Sequence, residues 1–395
     1  MLLYILYYIF VLLILLTIYF DGFRANHRHY KSVFKCIYIT LGLLMAFRYG
    51  VGNDTPGYMQ FYNIVPPLDK LSTSFLLQLR SQPLFAILCS ACKTITNNFV
   101  IIQILQAFLF SHSFYLLMNR LGLCKFIFLY IFYCFVWRHE LSALRECFAL
   151  SFCFYGFLYY LDNKYKKYYT LVTVGFLFHS GVAIFFLFPL LKFFRTLNTR
   201  NFLILTIGVI AIFATLTTIQ EYLLQSFIST AEIASRAKIE QRDIKYTTII
   251  LYVVQIAFLY YYSINKGHNK LSINKGHNKY NINKGQNKRP DLIYSGLFYV
   301  IFSFIGVAYL VIAFRYTAHF ALFYYYIIAD SLSNMKRDTL IKVVFLTFVL
   351  YVPTQQMIVA RDDRGNILEY YSVFDSDKDA MDRIIRDAAL PLFLH

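Results

Sequence analysis

The sequence predicts an all-α, polytopic integral membrane protein of about 10–12 transmembrane or re-entrant helices. Three observations predict it. The 395 residues are 58% hydrophobic and only 15% charged, against about 25% charged in a typical soluble domain. Mean hydropathy is +0.52, and the apolar residues fall in long blocks rather than at one-face spacing. Basic residues collect in particular connecting segments, as Lys and Arg do on the cytoplasmic side of membrane proteins. The formal net charge of +17 is therefore a topology signal and gives no argument for nucleic acid.

The elements follow in order. Residues 1–20 form a first span, lacking the basic n-region and small-residue cleavage site of a signal peptide. The segment carrying Arg24, His27, Arg28, His29, Lys31 and Lys35 is basic, hence cytoplasmic. A second block, 33–47, ends at Arg48 and opens a polar loop, 48–81, that faces the periplasm. Further apolar blocks lie near 82–95, 98–118, 124–137, 141–161, 168–191, 202–219, 246–262, 291–314, 316–333 and 339–353. Lys192, Arg195 and Arg200 place 192–201 inside, so 220–245 is a periplasmic loop and 354–395 a periplasmic tail. The whole chain reads as one membrane domain, 1–395.

In the middle, Asp162–Lys167 looks cytoplasmic, yet counting spans from the N-terminus puts it outside. One block between 82 and 161 is then re-entrant or broken, and the short 124–137, ending at Arg138-His139-Glu140, is the candidate. Block 168–191 reads as two short helices meeting at His179-Ser180-Gly181. Broken helices at membrane depth are tolerated where they line a cavity.

One internal repeat is plain. INKGHNK, INKGHNK and INKGQNK begin at Ile264, Ile273 and Ile282. Residues 263–290 hold seven Lys/Arg and no acid, too polar to bury a core, and read as a disordered basic cytoplasmic loop. Its reach toward anionic membrane lipids is the alternative to a plain linker. The seven cysteines are odd in number and mostly within apolar blocks, so no disulfide framework is legible. Cys89 and Cys92 have C-x-x-C spacing inside an apolar block and read as packing thiols. Asp375-Ser376-Asp377 lies in the predicted periplasmic tail without a nucleotide-binding domain, so no metal site and no cofactor is expected.

Four stretches can carry chemistry. Phe47–Asn63 brings Arg48, the flexible Gly50 and Gly52, Asp54, and Tyr58 and Tyr62 one helical turn apart. A guanidinium suits a pyrophosphate, because its planar fork offers several fixed donors; an Arg48–Asp54 salt bridge that positions the loop is the plain alternative. Arg145 and Glu146 lie in an apolar block, where charges are expensive and each calls for a partner or a cavity; a pair that fixes helix packing is the alternative. His139-Glu140 lacks the second His of a zinc-protease motif. His179 sits between two apolar runs, as a site residue or as a hydrogen-bonded structural one. Arg315-Tyr316 lies between apolar blocks, where Arg315 either serves the site or snorkels to the interface.

Taken in this order, the stretches resemble the EpsG/Wzy-type family of polysaccharide polymerases. The pattern is Arg48, Gly50, Gly52, Asp54 and Tyr58; then Arg145, Glu146 and Ala149; then Phe178, His179, Ser180 and Val182; then Arg315 and Tyr316. Glu146 departs from the family's commoner Gln and sets a negative charge beside Arg145. The repeat loop is a second departure. The resemblance implies a GT-C-like membrane glycosyltransferase of the bacterial inner membrane, an O-antigen polymerase. It takes undecaprenyl-pyrophosphate-linked oligosaccharide repeats on the periplasmic face and transfers the growing glycan to another lipid-linked repeat. It also implies working partners, a chain-length regulator and a flippase.

On that reading Arg48, Arg145 and Arg315 share the growing charge of the leaving pyrophosphate, and His179 or Asp54 accepts the hydroxyl proton. Tyr58, Glu146 and Tyr316 are the substrate-binding candidates. A capsule or exopolysaccharide polymerase is the alternative within the family, an O-antigen ligase among related transferases. A lipid-linked oligosaccharide flippase or transporter is the alternative of another class, but it would more often show repeated span architecture. A purely structural component of a synthesis complex leaves the four charged positions unexplained.

Overall fold

A computed structural model of the chain describes residues 9, 11–22, 29–49, 54–78, 83–123, 125–133, 143–194, 204, 207, 250, 252–262, 290–308, 311–333 and 371–372. The predicted loop 220–245, the repeat loop 263–290 up to its last residue, the blocks 202–219 (two isolated positions apart) and 339–353, and all of the tail 354–395 except Tyr371–Ser372 lie outside these residues. The chain gathers into two compact units. One comprises Met1–Ala183 with Leu332–His395, the other Ile184–Ser331.

The first unit is built on helices, as the apolar blocks require. Helix α1 (Val11–Asp21) ends in a π-helical turn, Thr17–Gly22. Next come α2 (Tyr30–Ala46), the two-residue strand β1 (Arg48–Tyr49) and α3 (Thr55–Ile64). A short 3-10 turn, Leu68–Lys70, leads to α4 (Thr73–Gln78) and α5 (Pro83–Ile95). Helices α6 (Val100–Leu121) and α7 (Phe126–Phe132) precede the hairpin of α8 (Leu144–Leu161) and α9 (Tyr165–Phe178). A long 3-10 segment, Ser180–Phe194, follows.

Among the described residues α6 is the one helix long and apolar enough to cross a membrane, and α1, α5, Ser180–Pro189 and Leu292–Ile301 are shorter apolar helices. Helix α6 stops at Gly122, whose left-handed φ of 71° lets its own N–H and that of Leu123 return to the carbonyls of Asn119 and Met118. The block expected to be broken, 124–137, contains α7, with all seven residues buried. At about 1.5 Å per residue it reaches about 10 Å, far less than a bilayer core of about 30 Å. The Asp21 carboxylate holds its N-terminus, accepting from the Tyr30 hydroxyl at 2.7 Å and the Ile127 N–H at 2.7 Å.

The α8–α9 hairpin closes through Asn163, at φ 61°, and packs by close approach. A Cβ on Gly175 would lie 2.8 Å from the Ala149 carbonyl oxygen and 3.2 Å from Cys153 Sγ; one on Gly156 would lie 3.3 Å from the Tyr168 oxygen. Small residues at helix crossings serve this purpose where lipid provides no hydrophobic drive. Phe178 stacks on Phe148 and Phe152, with ring centroids 5.4 and 5.5 Å away. As the sequence leads one to expect, the next block breaks at His179, which is extended at φ −154°, ψ 120°.

A second strand, β2 (Tyr371–Ser372), pairs antiparallel with β1, Arg48 opposite Ser372 and Tyr49 opposite Tyr371. The predicted periplasmic loop 48–81 therefore carries β1, α3 and α4, and touches the predicted periplasmic tail.

In the second unit, residues 252–262 form α10, followed by α11 (Pro290–Ala308) and α12 (Val311–Ser333). Tyr262 donates to Asp330 at 2.7 Å, Tyr299 stacks on Tyr324 at 4.8 Å, and Phe185 and Phe188 pack on Phe320 and Phe323.

Candidate functional site

Arg48 directly follows α2 and Phe47, and its side chain is fully buried. A buried guanidinium must spend its donors on the protein or on a ligand. Here Nη1 donates to the Met45 carbonyl oxygen, and Nη2 donates to Gln106 Oε1 on α6 at 2.8 Å. Gln106 is itself fully buried. Sequence reading passed over this glutamine; its signal was a polar side chain in the middle of the apolar block 98–118.

Asp54 is exposed and stands at the N-cap of α3, with Pro56 in the first turn. Both residues suit a helix start, since proline has no N–H to lose there and a carboxylate meets the positive end of the helix dipole. One turn on, the Asp54 carbonyl accepts from the Tyr58 N–H at 3.1 Å. Tyr58 is buried, edge-on to Phe85 at 5.7 Å. Tyr62, one turn further, is also buried, and its hydroxyl donates to the Thr96 carbonyl at 2.7 Å.

Arg145 and Glu146 occupy the first turn of α8. The Arg145 guanidinium carbon lies 5.4 Å from the Tyr58 ring centroid, a cation–π distance. Burial pushes the Tyr58 hydroxyl above its ordinary value; the Arg145 charge and hydrogen bond act against this, while Asp54 and Glu146 act with it. Four of the expected site residues, Asp54, Tyr58, Arg145 and Glu146, thus share one electrostatic neighbourhood. Glu146 is buried at the amino end of its helix, where an acid is favoured. Arg145 is at the unfavourable end for a cation, so an anion bound there would find both a guanidinium and a helix N-terminus.

His179 follows α9 directly, and the antiparallel hairpin puts it at the same end as Arg145 and Glu146. Its backbone N–H returns to the Gly175 carbonyl at 3.0 Å. Its Nδ1 accepts from the Gly181 N–H at 3.0 Å. In the neutral ring the proton is then on Nε2, so this nitrogen donates. Of the two bases weighed from sequence, that arrangement favours Asp54.

Arg315 and Tyr316 belong to the second unit, on α12. Four residues on, His319 is buried and packs against Phe185 at 6.1 Å; the sequence reading did not single it out. Cys89 and Cys92 are buried free thiols on α5. No cluster of metal-ligating side chains occurs among the described residues, and Asp375 and Asp377 lie outside them.

The sequence profile of the EpsG family matches residues 31–372. The chain belongs to the EpsG family. The match runs from α2 to β2 and so includes every site residue named above. EpsG proteins are membrane proteins of polysaccharide biosynthesis, associated with a polymerase-type, glycosyltransferase-like activity. No curated protein and no solved structure matches the chain.

Proposed function

We propose that this EpsG-family chain is a multi-pass, GT-C-like glycosyltransferase of the bacterial inner membrane. It polymerises undecaprenyl-pyrophosphate-linked oligosaccharide repeats on the periplasmic face, as an O-antigen polymerase. The observation that carries the proposal is Arg145 held 5.4 Å over Tyr58 at the N-terminus of α8, beside Asp54 and Glu146. The β1–β2 pairing supports a common side for the 48–81 loop and the C-terminal tail.

In the proposed step, a hydroxyl of the acceptor repeat attacks the anomeric carbon of the donor glycan. The bond from that carbon to the pyrophosphate oxygen breaks, and undecaprenyl pyrophosphate leaves with the electron pair. The hydroxyl proton passes to the Asp54 carboxylate. Pyrophosphate is already a good leaving group, so neutralising its charge matters more than protonating it. Arg145 supplies that charge, with the α8 amino end adding to it. His179 Nε2–H donates to a substrate oxygen, and Tyr58 and Glu146 position the guanidinium. Arg48 holds the loop that carries Asp54, its guanidinium joined to Gln106. Arg315 is proposed from the family pattern as a further pyrophosphate-neutralising cation, and Tyr316 as a substrate-binding residue. Membrane lipids surround the enzyme, and a chain-length regulator and a flippase are its proposed working partners.

The test is the lipopolysaccharide ladder of a deletion strain complemented with wild type, Arg48→Ala, Arg145→Ala, His179→Ala or Arg315→Ala, each checked for membrane level. A ladder reduced to core plus one repeat in the deletion strain, restored by wild type and not by Arg145→Ala, is the expected result. Loss of every repeat from the core would mean ligation or flipping instead. An intact ladder in the deletion strain would move the substrate to capsule or exopolysaccharide.

A further inference from the structure

Gln103 lies on α6, one helical turn before Gln106. It is 1% exposed, and neither its Oε1 nor its Nε2 has a hydrogen-bond partner among the described residues. A buried amide with both ends unmatched is destabilising, because each group has given up its water without a partner in exchange. Such a side chain is out of place in a purely structural helix. Residues three or four apart share a helix face, and two neighbours on this face are fixed by contacts. On one side, Phe99 packs edge-on to Tyr62 of α3 at 5.8 Å. On the other, Gln106 takes the Arg48 guanidinium at 2.8 Å. Gln103 thus lies on the α6 face between the residue that meets Tyr62 of α3 and the residue that meets Arg48.

We infer that the Gln103 carboxamide is a substrate-binding group for a sugar ring of the lipid-linked repeat. The inference rests on the glycosyltransferase reading above and assigns it a further residue and a chemical class. A carboxamide presents an acceptor oxygen and a donor nitrogen side by side. An ionised diphosphate only accepts, and would leave Oε1 unmatched. Two adjacent sugar hydroxyls both accept and donate, and match both ends. The division of labour is then clear: guanidinium groups take the charged pyrophosphate, and the neutral amide reads the hydroxyls next to it. Sites that hydrogen-bond a substrate hydroxyl discriminate strongly against analogues lacking it, because their polar groups are then left unpaired. Gln103 is therefore a determinant of which sugar is accepted.

The experiment uses full-length wild type and Gln103→Met, of similar shape without the amide, in native membranes. The probe is the lipid-linked repeat extracted from the deletion strain. KM, kcat and the thermal midpoint of the substrate-free protein are measured. The expected result is a KM raised about tenfold or more for Gln103→Met, kcat changed less, and a thermal midpoint equal to or above wild type, because an unmatched amide has gone. Gln103→Asn keeps the chemistry but draws it back by one methylene. It is expected to raise KM as well, and provides the same reading if the Met variant does not reach the membrane. An unchanged KM in a variant that reaches the membrane, or a lowered thermal midpoint with KM and kcat falling together, overturns the inference. If wild type itself forms no polymer from this probe, the glycosyltransferase reading fails first and takes the inference with it. A wild type that polymerises while the variants keep its KM overturns the Gln103 assignment alone.

Discussion

The two ends of the α8–α9 hairpin carry similar residue types in opposite circumstances. At the turn, Arg120 of α6 meets Asp162 at 2.7 Å and Lys164 meets the same carboxylate at 3.7 Å, with side chains 39–57% exposed. At the other end, Arg145 is half-buried against Tyr58, Glu146 is buried, and His179 closes α9. Exposed ion pairs contribute about 0–1 kcal/mol and are screened by salt, so the turn-end charges trim the register of a hairpin that packing already holds. Buried charges cost far more and persist where something repays them. The contrast supports the proposal of chemistry at the Arg145 end, and the Arg120 end serves as its internal control.

That contrast breaks most readily at the arginines. Arg145→Lys keeps the charge and loses the planar fork, and polymer yield per membrane-inserted protein is expected to fall at least about tenfold; Arg120→Lys should leave yield within twofold of wild type. Equal effects at both positions would erase the distinction between the ends. The packing differs in the same sense. Gly175→Ala drives a Cβ to 2.8 Å from a backbone oxygen and should lower stability by about 1–3 kcal/mol. Gly156→Ala meets its neighbour at 3.3 Å, and the better helix propensity of Ala, worth up to about 1 kcal/mol, offsets the crowding; thermal unfolding of the two variants in detergent separates them.

Tyr58 provides a smaller, pH-dependent effect. Burial raises its hydroxyl above the ordinary value of 10.0, so the folded state keeps its proton where the unfolded chain has released it. Its contribution to stability is fully present below the unfolded value and is lost as pH rises from there toward the folded one. Wild type should lose stability above about pH 10 by a component that Tyr58→Phe lacks; stability curves of the two proteins that stay parallel through that range would contradict this.

Much of this arrangement was legible beforehand, for reasons that differ by residue. Charges inside apolar blocks are conspicuous, so Arg145 and Glu146 stood out, and they proved to open α8. The break at His179 was legible because Ser180-Gly181 interrupts an apolar run, and α9 ends there. Of the short block 124–137, α7 covers Phe126–Phe132, and its end at Arg138-His139-Glu140 lies outside the described residues. Partner choice was not legible. For Arg48 the sequence suggests either a pyrophosphate-binding role or a salt bridge to Asp54, and nothing in it points to the Met45 carbonyl or to Gln106, across the fold, which the guanidinium meets. A local loop always offers an obvious partner, and only tertiary packing shows which distant helix face arrives first. Gln103 and Gln106 were missed because glutamine carries no charge, and a single amide barely dents the hydropathy of its block. A two-residue strand such as β1 has no periodicity to detect at all.

The pairing of Arg48–Tyr49 with Tyr371–Ser372 has a temporal meaning for a chain made from its N-terminus onward. Arg48 emerges from the ribosome well before the strand that pairs with its backbone, with α3 to α12 made in between. The ladder beside Arg48 can therefore close only after those helices have been made, so this short pairing is a late folding event that joins two segments far apart in the sequence.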